Sequence, residues 1–319
     1  MGTVELPVVV GVDGSDAASD ALDWAAELAG RRGLPLRVVH ASLWERYEGY
    51  VAGTAADRPA ERLHSEAVLA TAAERAGRRV PALKVMTDLA ADDAVTALLR
   101  AGQSAEALVV GSRGRGEFAS LLLGSVGLGI AARAQCPVVV VRGRPQNVHG
   151  GMNRVVVGIA ERERPGEREP APPSAAVAFA LREARLRGGE LEAVHAWRCA
   201  GPEDHGAREN HRAHEDHRAH EDHRARENHR AREDHARRAA ELLDETLGGA
   251  TAAGLPPVPV AHRPVEGSAR KALLDASAHA DLLVVGARRR QGHFGMQLGL
   301  VNHAVLHHAK CPVAVVPVS

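Results

Sequence analysis

The sequence predicts an α/β protein built from two tandem, doubly wound, five-stranded parallel-sheet domains, with helices on both faces and a pseudo-two-fold relation between the halves. Three observations carry this. The chain has 319 residues, comfortable for two ordinary domains. Short apolar runs alternate with helical periodicity, and the runs are apolar on both faces, as in a parallel sheet covered on both sides. Finally, the chain repeats itself. Val8–Asp13 matches Val155–Ala160, Leu108–Arg113 matches Leu283–Arg288, and Cys136–Val141 matches Cys311–Val316.

Element by element, an apolar strand at Leu6–Asp13 leads into Ser15-Asp16, an N-cap signal, and a helix over Ala17–Gly30 that ends by Gly33. A strand follows at Leu36–Ala41, a long helix over Arg58–Arg78 and a short strand near Leu83–Met86. Then come a helix at Asp92–Gly102, a fully apolar strand at Ala107–Gly111, a helix near Gly124–Ala134 and a last strand at Val138–Arg142. The offset between matching positions grows from 147 at Gly11/Gly158 to 155 at His40/His195 and 175 at Gly111/Gly286. The second copy therefore carries two insertions, one in the Pro- and charge-rich stretch Glu161–Pro173, the other in a His/Arg/Glu tract. The predicted domains are 1–146 and 152–319, with the insert at about 203–238.

Composition narrows the function. Forty basic and forty acidic residues balance, which removes the electrostatic argument for nucleic acid or an anionic membrane. Aromatics are 3%, so the cores must be Val, Leu, Ala and Ile. The three cysteines form no paired or zinc-ligand spacing, which fits a reducing, cytoplasmic setting. Neither a signal-peptide pattern nor an apolar run of membrane-spanning length is evident.

The chemistry concentrates in the loop after the fourth strand. It reads Gly111, two residues, Gly114, nine residues, Gly124-Ser125. Glycines at a strand's carboxyl end let backbone N–H groups approach a phosphate chain. A helix opening at Gly124-Ser125 adds unpaired N–H groups and a favourable dipole, and the Ser125 hydroxyl is a donor and a candidate cap. Asp13, ending the first strand, would face the same crevice. The spacing is neither a Walker A loop nor the dinucleotide-binding glycine fingerprint. A bland reading, a tight loop followed by a helix with no ligand, competes with this.

With Val-Gly-Val-Asp13-Gly-Ser, Val-Val-His40, the Gly111…Gly114…Gly124-Ser125 frame and Cys136-Pro137 before a Val-rich strand, the chain resembles the universal stress protein family, twice over and across nearly its whole length. The resemblance implies the family's ATP-binding branch for the first half. It implies Asp13 near the ribose or a metal, Val12 and Ala41 near the adenine, and Gly111 near the ribose. It further implies Gly114, Gly124, Ser125 and the Val126 backbone at the phosphates of ATP or AMP, with Mg²⁺ bridging phosphate oxygens. The family's habit of pairing last strands implies that Val138–Arg142 and Val313–Val318 pair within the chain as an internal dimer. A homodimer is left open.

The second copy departs from the frame. Arg289 stands for the second glycine, Leu300 for the serine and Ala160 for the aspartate. Each change removes a backbone approach, a hydroxyl or a carboxylate, so this half is expected to keep the fold and bind nucleotide weakly or not at all. Arg288, Arg289 and Arg290 offer an alternative side-chain phosphate site without a backbone nest.

The tract places His211, His217, His223, His229 and His235 six residues apart, with His214 and His220 between. Histidines three apart can share a metal such as Zn²⁺ or Ni²⁺. A six-residue step, however, rotates equivalent positions by about 240° round a helix, so no single face collects them. Ion pairs Glu215–Arg218, Glu221–Arg224 and Arg212–Asp216 fit a solvated, charged helix, or one only partly ordered. His40 and His195 read as packing residues, Trp24 as the anchor of the first helix, and Cys136 and Cys311 as small core residues. The resemblance implies a stress-responsive, regulatory, nucleotide-binding protein, and no catalytic set of residues is evident in the sequence. A slow ATPase switch is one alternative, and a nucleotide-free scaffold using its His-rich tract is another.

Overall fold

A computed structural model describes residues 5–43, 58–112, 123–160, 174–198, 216–252, 257–288 and 298–318. The first half runs β1 (Val8–Gly11), α1 (Asp16–Arg32), β2 (Leu36–Ala41), α2 (Arg58–Arg79), β3 (Val85–Ala90), α3 (Ala94–Gly102), β4 (Ala107–Gly111), α4 (Ser125–Arg133) and β5 (Val138–Val141). A short helix α5 (Pro145–Val148) links to the second half. This runs β6 (Arg154–Ile159), α6 (Ala175–Leu186), β7 (Glu190–Trp197), α7 (Asp216–Ala252), β8 (Val260–Glu266), α8 (Ala269–Ser277), β9 (Leu282–Arg288), α9 (Leu300–His308) and β10 (Val313–Val318).

The strands form one ten-stranded sheet in the order β3-β2-β1-β4-β5-β10-β9-β6-β7-β8. Pairing is parallel except at the centre, where β5 and β10 run antiparallel with Val139 opposite Ala314. Those two residues are each other's repeat equivalents, 175 positions apart, so the pseudo-two-fold axis passes through this pair. Two apolar layers cover the sheet's faces and both extend across the junction. One is built on Leu22, Leu28, Val109, Phe179 and Val284, the other on Leu98, Ile130, Val140, Leu283 and Leu306.

Local chemistry sets the helix ends. The Ser15 hydroxyl accepts from the Ala18 N–H at 3.2 Å, and Gly33 closes α1 in the left-handed region at φ 66°. Asp93 caps α3 by accepting from the N–H groups of Val95 and Thr96, both at 3.1 Å; hydrogen bonding from the Thr96 side chain, then from its N–H, holds the carboxyl below the usual range. The predicted strand near Leu83–Met86 is corrected to β3, which pairs with β2 from Leu36/Val85 to Ala41/Ala90. An edge strand needs little apolar character, and Thr87-Asp88 hid it.

The charged tract enters α7, a 37-residue helix. Side chains before His229, including those of the predicted tract ion pairs, lie outside the described residues. The tract itself lacks an apolar stripe, but the helix acquires one just beyond it. Ala239, Leu243 and Leu247, four residues apart, are buried. Within the tract, His235 stacks on Trp197 with ring centres 5.9 Å apart, and Arg232 pairs with Glu266 at 3.3 Å. Cys136 and Cys311 are buried free thiols; burial pushes the Cys136 thiol up to about 11 and Cys311 higher still. Cys199 lies outside the described residues.

Candidate functional site

In the first half, strand order reverses between β1 and β4, the place where open α/β sheets leave a crevice at their carboxyl ends. Val12 and Asp13 follow β1, Ala41 ends β2, and Gly111 ends β4. Gly114 lies outside the described residues. The two ends of the frame nevertheless meet: the Gly124 N–H donates to the Ser112 carbonyl at 2.9 Å, closing the base of the loop.

Gly124, not Ser125, occupies the N-cap of α4, and no side chain among the described residues caps this helix. The expected capping role of Ser125 is therefore corrected. Ser125 is the first helical residue, and among the described residues no side-chain cap competes for the opening N–H groups of α4. Asp13 is more constrained than the sequence suggested. Its Oδ1 accepts from the Ser15 N–H at 3.0 Å and the Ser15 hydroxyl at 2.6 Å. Since Ser15 in turn caps α1, one carboxylate oxygen is tied to the helix start; among the described residues Oδ2 has no such bond.

Two further residues shape the crevice. His40 Nδ1 lies 2.8 Å from the Val12 carbonyl. A carbonyl only accepts, so Nδ1 carries the proton and the ring ties the end of β2 to the residue after β1. His195 repeats the contact with the Ile159 carbonyl at 3.0 Å, so this tie belongs to the fold of each half. Gly111 also has a packing reason. A Cβ there would lie 2.5 Å from the Ala17 carbonyl oxygen, because α1 starts directly against the end of β4. At Gly286 the nearest atom would be a Val318 methyl at 3.4 Å. Gly111→Ala is therefore expected to cost about 1–3 kcal/mol and Gly286→Ala within ~0.5 kcal/mol; urea unfolding of both variants measures the difference. Equal costs would refute the close-approach argument.

The residue that sequence comparison missed is Gly127. It lies in the first turn of α4, where an added Cβ would sit 3.1 Å from Leu123 and 3.8 Å from the Gly111 carbonyl oxygen. Its repeat equivalent, 175 positions on, is Asn302, whose side-chain amide donates to the Gly286 carbonyl at 3.0 Å. The second half thus bonds its strand end with a side chain from a helix position that in the first half is a glycine packed against Leu123. No spacing rule flags this, because glycine inside a short helix reads only as weak propensity.

A model of the universal stress protein family matches residues 6–142 and again 153–317. Universal stress protein Rv2005c of Mycobacterium tuberculosis is 34% identical over 329 residues, covering 97% of this chain and 96% of that one. A second relative, universal stress protein Rv2623 of the same organism, is 28% identical, with 98% of this chain and 97% of that one covered. Among solved structures, a universal stress protein from Archaeoglobus fulgidus superposes with TM-score 0.62 at 18% identity over 99% of both chains, a likeness of fold. Fold and sequence define a tandem α/β protein whose first half carries a glycine frame at its strand ends and whose second half departs from it. The chain belongs to the universal stress protein family.

Proposed function

We propose that the first domain, residues 1–146, binds ATP or AMP at the β1/β4 crevice, and that the second, residues 152–319, is chiefly its structural partner. The observation that carries this is the contrast between Gly127 and Asn302: the second half bonds its strand-end carbonyl with an amide from a helix position where the first half has no side chain. The uncapped N-terminus of α4, with Gly124, Ser125 and Val126, supplies backbone donors and a hydroxyl suited to phosphate oxygens. In this reading Gly114 is a further phosphate-binding residue, Val12 and Ala41 take the adenine, and Asp13 Oδ2 takes the ribose or the metal side of the phosphates. The donor set fits a nucleotide phosphate chain; for the metal, Asp13 offers one unbonded carboxylate oxygen among the described residues, so Mg²⁺ would be held mainly by the phosphates. Nucleotide occupancy then serves as the regulatory signal of a stress-responsive protein.

Calorimetric titration of ATP with Mg²⁺ tests this on wild type, Gly114→Arg and Gly127→Asn, the last two copying changes found in the second half. One site per chain is expected, with either substitution weakening affinity at least tenfold. Absence of binding by the folded wild type would refute the proposal.

A further inference from the structure

The second domain reaches into the base of the first domain's glycine loop. The backbone N–H of Leu123, the residue before Gly124-Ser125, donates to Nδ1 of His307 on α9 at 3.3 Å. We propose that His307 is a positioning residue for the phosphate-binding turn, supplied from the opposite domain, and that its protonation weakens nucleotide binding. The proposal rests on the nucleotide reading above and deepens it.

The chemistry is directional. An N–H can only donate, so Nδ1 must present its lone pair and the ring must be neutral, with the proton on Nε2. Once protonated, the ring turns a second donor toward Leu123 and the bond is lost. Leu123 is itself buried beneath the turn, where an unpaired N–H is costly. Release of the bond is therefore expected to shift the turn that carries Gly124 and Ser125.

The surroundings favour the neutral ring. Partial burial, first, and then the nearby His303, His308 and Arg142 hold the His307 pKa below the ordinary histidine value. These are the charged groups acting on it among the described residues: two from its own helix and Arg142 from the end of β5. His303 stacks on it with ring centres 5.3 Å apart. Protonation is thus reserved for acid conditions. The stabilisation from the bond is full above the unfolded-state pKa and is lost as pH falls through the lowered folded value.

The contact runs one way. The equivalents of His307 and His303 in α4 are Ala132 and Leu128, and the equivalent of Leu123 is Leu298. No reciprocal histidine serves the corresponding turn of the second half. A contact required only by the sheet junction would be expected in both halves.

The test compares ATP affinity at about pH 8 and about pH 5, either side of the ordinary histidine pKa, in wild type, His307→Asn and His307→Leu. Asparagine places a carbonyl oxygen near the Nδ1 position and accepts at every pH. Wild type is expected to lose affinity about three- to tenfold on acidification beyond any change shared by all three proteins. His307→Asn should lose only the shared part, and His307→Leu should be weak at both. The amide resonance of Leu123, followed by NMR without nucleotide, should titrate with the His307 ring in wild type and stay flat in His307→Asn. A pH response of affinity identical in all three proteins would overturn the positioning role. A Leu123 amide that ignores the His307 titration would overturn the hydrogen-bond switch. If wild type binds no ATP at any pH, the nucleotide reading fails and with it the role in binding, while the amide titration still decides whether the two domains are coupled.

Discussion

Replacing Glu183 by alanine is expected to destabilise the protein by about 3–5 kcal/mol. Glu183 lies on α6 in the second half and its side chain is fully buried. Its Oε1 accepts from Nε and Nη2 of Arg32, at 3.1 and 2.7 Å, across the junction from the end of α1. Its Oε2 lies 3.5 Å from Nη2 of Arg187. Both guanidiniums are nearly buried, 4% and 6% exposed; Arg32 lies over Phe179 and Arg187 over Trp24, at 5.0 and 5.3 Å. Burial draws the Arg187 pKa down from its usual value, opposed chiefly by Glu183. Removing that carboxylate leaves Arg187 without its ion-pair partner among the described residues, only Asp281 and Glu27 still attracting it, and leaves Arg32 with Glu106 at 2.6 Å. The loss is large because the cations stay buried, not because the pair itself is strongly favourable. Glu183→Gln keeps an acceptor and should fall between. Urea unfolding checks this, and an alanine variant within 1 kcal/mol of wild type, on the order of an ordinary surface change, would remove the argument.

None of that cluster was visible in the sequence. The repeat, the strand–helix alternation and the glycine frame are periodic or punctuated features, and they carried the fold class and most element boundaries. Ser15 and Gly33 could be read as caps because capping is local chemistry. Residues 30 to 180 positions apart escape such reading. Arg32 and Glu183 look like ordinary surface charges on two amphipathic helices until the sheet joins them. At the candidate site, Asp13 and Gly111 were legible as residue types at a strand end. The tie of Asp13 to Ser15 is local, two residues along the chain, and was open to the same reading, whereas that of Gly111 to the start of α1 was not, since it depends on how closely α1 approaches β4. Gly127 was missed for the same reason: its meaning appears only beside Asn302, in three dimensions. The roles of Glu161–Pro173 and of the early histidine tract fall outside the described residues.

Gly143→Ala is expected to cost about 3 kcal/mol or more, from backbone strain and steric conflict together. Gly143 follows β5, where the chain leaves the first sheet half and passes the second. Its φ is 109°, a conformation L side chains rarely adopt, and an ideal Cβ would lie 2.2 Å from the Lys310 carbonyl oxygen and 2.4 Å from its carbon. The neighbouring Arg144 N–H donates to that same oxygen at 3.0 Å, so backing away from the clash breaks a bond that ties the halves together. Arg142, on the other side, donates to the Leu306 carbonyl. Three consecutive residues thus fix the chain against the segment entering β10, and no flexible side chain can yield to the added methyl. Gly33→Ala is the matched control. It also has positive φ, 66°, but nothing within 4 Å of an added Cβ, so it should cost about 1 kcal/mol from strain alone. The difference between the two variants isolates the steric conflict at the junction. Thermal unfolding should show Gly143→Ala with the lower Tm, and a split into two transitions would mean that the β5–β10 contact fails before either half melts. Equal Tm values for the two variants would mean that the junction accommodates a methyl group, and the rigidity inferred for it would be wrong.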